Sequence, residues 1–499
     1  IEFSATETVK LEGGALKANA TRGKRGAVLI DPNNIEVVSA NQHTDGADFT
    51  LIANDKITVG DNITISTRDI ANPTTGNHAT DASQGDSGDL TLRASNVELK
   101  AGSRLLAHAD SGRTGGDVKV EGRTLDAIGA NRDVNASVSL TEATVTGKDI
   151  TIRSSAETSL VNELLENNPA LTVADAQRQI DQELDDPIDG IGGAFLSVTT
   201  KATATTTVLG SKVTGSGKVT ISSHAGARSG FEKIATATTT IGDSGAIKSE
   251  IRGDTIDITS TATTSLSYKI LGTVTKLLDQ SWLPDPDGPL ISALDDNLFD
   301  FNAVPLVALS TAKATTLVDG ASLIIGTDTV TIGADADSAA KPTFSSPFLF
   351  SAAWGESTAE ARARVVGTAN VTATNALTVQ AHTNTEIDVT ATVNSINKPV
   401  DATFVRANTH ITTIAEVGDS TTTTGGSISV DAQTEAEINA AADAKNTGGS
   451  GVGLSLAISE TTSTTTATLG GTAEATTGDV TVTANADIEE GNSANAATL

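Results

Sequence analysis

The sequence predicts an all-β fold, a parallel β-solenoid (β-helix) with two short insertions, and three observations lead to it. The first is compositional. The 499 residues hold no Cys and no Met, aromatic residues make up 3% of the chain, and Thr, Ala, Gly, Ser and Val dominate. So few bulky groups make a poor compact core, whereas small and β-branched residues suit stacked strands in which each side chain packs on its counterpart in the next layer. The second is a recurring pattern: a turn with Gly, Asp or Asn, then apolar-polar-apolar, then Ala or Ser. It reads "GDNITIST" from Gly60, "GDLTLRAS" from Gly88, "GDVKVEG" from Gly116, "GKDITIRSS" from Gly147, "GKVTISSHA" from Gly217 and "GDTIDITSTA" from Gly253. It continues in "TDTVTIGADA" from Thr327, "TNALTVQAHT" from Thr374, "GGSISVDAQ" from Gly425 and "GDVTVTANA" from Gly478. Such alternation marks a strand with one buried face, fed by a turn.

The third observation is spacing. Ile63, Leu90, Val118 and Ile150 follow one another at roughly 28 residues, about one solenoid coil. From Ile150, the anchors Val219, Ile256, Val330, Leu377, Ile428 and Val480 suggest a unit near 50 residues, read as two coils and interrupted twice. The chain divides accordingly into 1–135, with coils of about 28 residues, and 136–499, with repeats of about 50 residues. Thr-rich runs such as "ATATTTVLG" (202–210) and "TSTTTATLGG" (462–471) recur ahead of the anchors, as ladders of like residues in stacked strands would require. At about 4.8 Å per coil, 20–25 coils would make a rod of roughly 100 Å or more.

Two stretches break the pattern. Residues 160–190 carry a capping-box signal from Thr172 and place Val173, Ala176, Ile180 and Leu184 on one helical face, which predicts a helical insertion. Residues 277–310 carry Pro284, Pro286 and Pro289, incompatible with a central strand, and form the second insertion. Aromatics gather around it. Tyr268, Trp282, Phe299, Phe301, Phe344, Phe348, Phe350 and Trp354 read either as groups pinning an irregular loop to the column or as a contact patch for a protein or sugar. Trp282, Phe299, Phe301, Phe348 and Trp354 are the candidate contact residues.

Charge excludes one class of partner: a net charge of -29 repels nucleic-acid phosphates. The same charge keeps a long surface soluble, and no motif calls for a cofactor, although calcium remains possible at individual loops. Without Cys there is no disulfide, thiolate metal site or cysteine nucleophile. No apolar run approaches the roughly 18–20 residues of a membrane-spanning helix. "IEFSATETVK" lacks a secretory leader, and the chain reads as an internal piece of something longer.

The segments "GGALKANATRGKRGAVLIDPNNIEV" (13–37) and "SGDLTLRASNVELKAGSRLLAHADSGRTGGDVKVEG" (87–122) resemble the shaft of filamentous-haemagglutinin-like exoproteins, large bacterial adhesins exported by two-partner secretion. Units such as "GGSGVGLSLAISETTSTTTATLGGTAEATTGDVTVTANADIE" (448–489) are similar to the long repeats of leukotoxin-like adhesins in that group. The resemblance implies a right-handed parallel β-helix, secreted and held at the outer cell surface. It implies a structural rod that displays or spaces binding sites for a cell-surface receptor, glycan or matrix component, or that self-associates into filaments. The Asn-rich secretion domain of the family is not seen in these residues, so the export route follows from the resemblance alone.

No enzyme activity is expected. The rival reading, a polysaccharide lyase or hydrolase, would use carboxylates of the insertions: Asp185, Asp186 and Asp189, or Asp285, Asp287, Asp295 and Asp296. Neither group has a basic or His partner close in sequence. The six histidines, His43, His78, His108, His224, His382 and His410, lie far apart in sequence and show no metal-pair spacing. An ice-binding Thr face is the third reading, weakened because Thr-rich runs occur about once per 50 residues rather than once per coil. The tripeptide Arg252-Gly253-Asp254 is the candidate receptor-binding site. Its Gly-Asp aligns with Gly60-Asp61, Gly88-Asp89, Gly116-Asp117 and Gly478-Asp479, which makes it a repeat turn that also spells a ligand.

Overall fold

Strict alternation in the sequence becomes strict alternation in burial. Thr199–Leu209 buries Thr200, Ala202, Ala204, Thr206 and Val208 and turns Thr203, Thr205 and Thr207 outward. Glu232–Gly242, one coil further, repeats the pattern with Ala235, Ala237, Thr239 and Ile241 inside. The computed structural model describes residues 2–12, 14–15, 27–72, 75–126, 132–158, 199–227, 232–264, 267–271, 306–346, 350–396, 400–447 and 452–498. Among these residues the regular elements are all strands, and the long pairings between coils are all parallel. The fold is a parallel β-solenoid, as the sequence predicts.

From Asp48 onward the strands stack in three columns, and before it the single strand Ala27–Val37 supplies the first two columns at once. The first column carries the anchors in register, Phe49 under Leu90 and then Val118, Ile150, Val219, Ile256, Val330, Leu377, Ile428 and Val480. Ile63 does not belong to that ladder. It precedes Thr64–Ser66, a strand of the third column, and Phe49 is the anchor of its coil.

The sequence reading of coil size needs correction. Each unit of about 50 residues is one coil, not two, because Leu377, Ile428 and Val480 are direct neighbours in the ladder. The coils enlarge by lengthening two of their three sides. First-column strands grow from Leu90–Ala94 (5 residues) to Ala376–Ile396 and Ser427–Thr447 (21 residues each). Second-column strands grow from Asn96–Leu99 (4 residues) to Val400–Val417 (18 residues), while the third side stays short, as in Thr422–Gly425 (4 residues). Among the described residues the third column stacks 11 strands, which corresponds to about 50 Å along the axis. A strand of 21 residues spans about 70 Å, so the wide end is broader than the stack is tall.

The interior is layered accordingly. One apolar cluster fills the triangular prism along the axis, through Leu51, Leu92, Ile152, Ile221, Ile258, Ile332, Val379 and Val430. A second fills the outer part of the long two-sheet fin, through Leu306, Phe344, Ile387, Val389, Val405, Ile411 and Ile438. Buried hydroxyls separate them. Thr434 Oγ1 lies 2.7 Å from Thr413 Oγ1, 2.7 Å from Thr465 Oγ1 and 3.3 Å from Thr383 Oγ1, joining the two facing sheets and successive coils. Ser154, Thr206, Ser223 and Thr239 form the same kind of ladder nearer the narrow end. Facing hydroxyls satisfy one another, so Thr and Ser enter the interior without leaving donors stranded.

The predicted helix of residues 160–190 lies outside the described residues, as does most of the second predicted insertion. Residues 306–310 of that predicted insertion instead begin the strand Leu306–Val318, with Leu306, Val307 and Ala308 buried. No helix of the described residues is long and apolar enough to cross a membrane.

Candidate binding surface

Alternation along the last long strands of the second column sends a run of apolar groups to the outer face. Phe350 stacks under Ala402 and Leu454, Ala352 under Phe404 and Leu456, and Trp354 under Arg406 and Ile458. Val452, Leu454, Leu456 and Ile458 continue this outward apolar strip on the last described coil, where the inward anchors Val480 and Val482 are also 46% and 47% exposed because no described coil covers them. One cation is fixed within the strip: the Arg406 guanidinium lies 5.1 Å from the Trp354 ring centroid, and its Nη2 is 3.1 Å from a Glu460 carboxylate oxygen. The indole Nε1 of Trp354 is buried without a hydrogen-bond partner. An aromatic face, aliphatic neighbours and a held guanidinium suit a ligand with an apolar face and polar edges, such as a sugar ring or a protein surface.

Of the aromatic candidates, Trp354 is in this strip. Trp282, Phe299, Phe301 and Phe348 lie outside the described residues. Sequence reasoning missed Phe404, Leu454, Leu456 and Ile458, although "VGLSLAIS" (452–459) alternates plainly. Alternation shows that one face is apolar but not which face points inward, and here the apolar residues are outside while Ser455, Ala457 and Ser459 continue the inner face.

Arg252-Gly253-Asp254 sits at a corner of the solenoid. Arg252 and Gly253 end the third-column strand Glu250–Gly253, paired with Ile325 and Gly326 of the next coil. The Arg252 Nε donates to Glu250, whose carboxyl is held below the usual range chiefly by that bond. Asp254 donates its N–H to the Gly217 carbonyl at 2.8 Å, and its carboxylate accepts the Thr327 hydroxyl at 2.7 Å. The proposed alignment is off by one residue. Gly88-Asp89, Gly116-Asp117 and Gly478-Asp479 immediately precede the first-column anchors, whereas Thr255 intervenes between Asp254 and Ile256, and Gly60-Asp61 belongs to another corner.

The aspartates named for catalysis in the insertions lie outside the described residues. A different group gathers on the outer face of the first column, where Asp335 and Asp337 share a strand and His382 Nδ1 of the next coil lies 3.2 Å from Asp335 Oδ1. That contact raises the His382 pKa, while burial and then Asp335 raise that of Asp337. Among the described residues no group of three or more His, Asp or Glu side chains is placed to hold a metal ion. Distance in sequence misled for the histidines: His43, His78 and His108 come from three successive coils to one corner.

The outward threonines also differ from expectation. With one coil per repeat, Thr-rich runs do fall once per coil, and Thr203, Thr205 and Thr207 stack on Thr236, Thr238 and Thr240. The array stops at the next coil, where Lys313 and Leu317 replace Thr, followed by Glu360 and Arg364. Among the described residues the array is two coils deep, between Asn135, Ser137 and Ser139 on one side and Lys313 and Leu317 on the other.

Fold and surface together define a repeat-built parallel solenoid with an apolar strip near its wide end. Comparison of the chain with protein families, with characterised proteins and with solved structures finds no match.

Proposed function

We propose that this chain is a structural segment of a secreted bacterial adhesin or extracellular filament, a solenoid that spaces and displays binding surfaces outside the cell. The observation that carries this reading is the unbroken register of the three strand columns from the narrow end to the wide one. Inward positions repeat Val, Ile, Ala, Thr and Ser, while outward positions change from coil to coil, which is how a scaffold carries different surfaces on one frame. The resemblance of residues 13–37, 87–122 and 448–489 to adhesin shafts supports the same reading. Its partner is a receptor, glycan or matrix component that meets the Trp354 strip.

The test is retention of glycans and matrix proteins on beads coated with the chain, run beside an assay for depolymerisation of uronic-acid polysaccharides. Retention without depolymerisation is expected, reduced at least tenfold by Trp354→Ala combined with Leu456→Ser. Chain cleavage of a polysaccharide would replace this reading with the enzymatic one.

A further inference from the structure

A buried arginine lies at the centre of the corner where three histidines meet, beside further ties such as Thr67 N–H to the Leu106 carbonyl, Ser87 N–H to the Thr114 carbonyl and Thr114 N–H to the Asp86 carboxylate. The third-column strands Gln42–His43, Thr64–Ser66 and Arg104–Leu106 stack there, and residues after Ser66 and after Leu106 leave the column and fold over it. Arg68, with its side chain 1% exposed, ties these excursions together. Its Nε donates to the His108 carbonyl at 3.0 Å, its Nη2 to the Asp81 carbonyl at 2.9 Å and to Ser83 Oγ at 3.0 Å, and its Nη1 to the His78 carbonyl. Asp110 Oδ1, 3.5 Å from Nη2, is the nearest countercharge. His78 Nδ1 lies 3.0 Å from Ser66 Oγ, and its ring centroid is 5.3 Å from that of His43. The His108 ring is hydrogen-bonded to the Ala79 backbone, and its Nδ1 is buried with no hydrogen-bond partner.

We infer that this corner is an acid-operated clasp: protonation of His108 places a second cation beside buried Arg68 and frees residues 67–72 and 75–88 from the column. The charged and titratable groups that face the clasp are Arg68, His78, Asp81 and Asp86 from the first excursion, His43 and Asp45 from the coil before, and Asp110 from the excursion of His108 itself. A proton on Nδ1 has no acceptor, and burial and then Arg68 disfavour the charged imidazole by more than Asp110 and the Ala79 backbone bond favour it, so the open state holds the proton better. Asp110 accepts a backbone bond from Ser83 and sits near Arg68, both of which hold its carboxyl below the usual range, so it stays ionised while His108 titrates. Opening exposes Ile70 and Leu106, which are 3% and 1% exposed in the closed corner.

The sign follows from the closed-state value. Burial first, then Arg68, pushes His108 down to about 4 from 6.5, so the open state binds the proton first and opening grows as pH falls from about 6.5 to 4. The full depression corresponds to a rise of about 300-fold in the opening equilibrium. Hydrogen exchange of the intact chain, corrected for intrinsic rates, reads this directly in peptides covering 67–88 against peptides from Ala376–Ile396 as an internal reference. Expected are a rise of this order by pH 4, restricted to the corner, and its suppression in His108→Gln. Unchanged protection of 67–88 at pH 4, or equal opening in His108→Gln and wild type, would overturn the proposal. Exchange of the imidazole C2 hydrogen gives a second reading that needs no variant: a His108 midpoint near 4 is expected, and an ordinary midpoint near 6.5 would also overturn it.

Discussion

At the residue scale the interior differs from a simple hydrocarbon core, and two side chains test how it is held. Thr434 shares its hydroxyl with Thr383, Thr413 and Thr465, so Thr434→Val removes one bond from each of two buried hydroxyls, which keep only each other, and from half-buried Thr465. A loss of about 1–3 kcal/mol in denaturant unfolding is expected, while replacing all four hydroxyls by Val should be milder than the single change. Lys233 is fully buried, its Nζ 3.4 Å from the Ala339 carbonyl, and burial pushes its pKa down to about 7 from 10.5. The unfolded chain therefore holds the extra proton between those values, and stability rises as pH climbs through this window, by roughly 5 kcal/mol at most. Lys233→Met should unfold at higher temperature than wild type at pH 7 and lose this slope; an unchanged slope would count against the burial. Neither residue stood out in the sequence. "TSTTTATL" and "EKIATATTTIG" spell inward and outward Thr alike, and a lysine at an inward position is visible only once the parity of its strand is known.

At the scale of elements, the first-column strands were legible and their lengths were not. The anchors Leu90, Val118, Ile150, Val219, Ile256, Val330, Leu377, Ile428 and Val480 stand in register because a turn, two apolar positions and a small residue recur in each. What could not be read was that Ala376–Ile396 runs unbroken for 21 residues, since Ala, Thr and Val continue the same alternation without a stop signal. The Gly of the turns is explained by crowding rather than by dihedral freedom. A Cβ on Gly116 would sit 1.9 Å from the Gly88 carbonyl oxygen of the coil before, so Gly116→Ala should cost about 2–4 kcal/mol and expose that corner to proteolysis. The candidate sites divide in the same way. Trp354 was found by its rarity, whereas its neighbours Phe404 and Leu456 required the stacking of strands distant in sequence. For Arg252-Gly253-Asp254 the ladder on both sides holds Arg252 and Gly253 in a strand, and the bonds of Arg252 to Glu250 and of Asp254 to Thr327 fix the two side chains at the bend that follows. Asp254→Glu is therefore expected to leave cell attachment unchanged, and a loss of attachment would assign the tripeptide to a receptor.

At the scale of the whole molecule, the number of coils per repeat is the quantity the structure changes most. A solenoid with enlarging coils puts its broad, variable outer faces at one end and its narrow shaft at the other, which suits display better than simple spacing. A net charge of -29 keeps those faces apart from one another and from polyanions. The central claim is that each repeat is a single coil, and it can be measured as a distance. Thr151 and Thr481 face outward on the first column, linked through Thr220, Asp257, Thr331, Thr378 and Ser429 by six coil steps. Because the chain has no Cys, Thr151→Cys with Thr481→Cys takes two spin labels cleanly. Pulsed electron resonance should give a separation near 29 Å, six rises of about 4.8 Å; a distance near 58 Å would mean two coils per repeat and contradict the fold described.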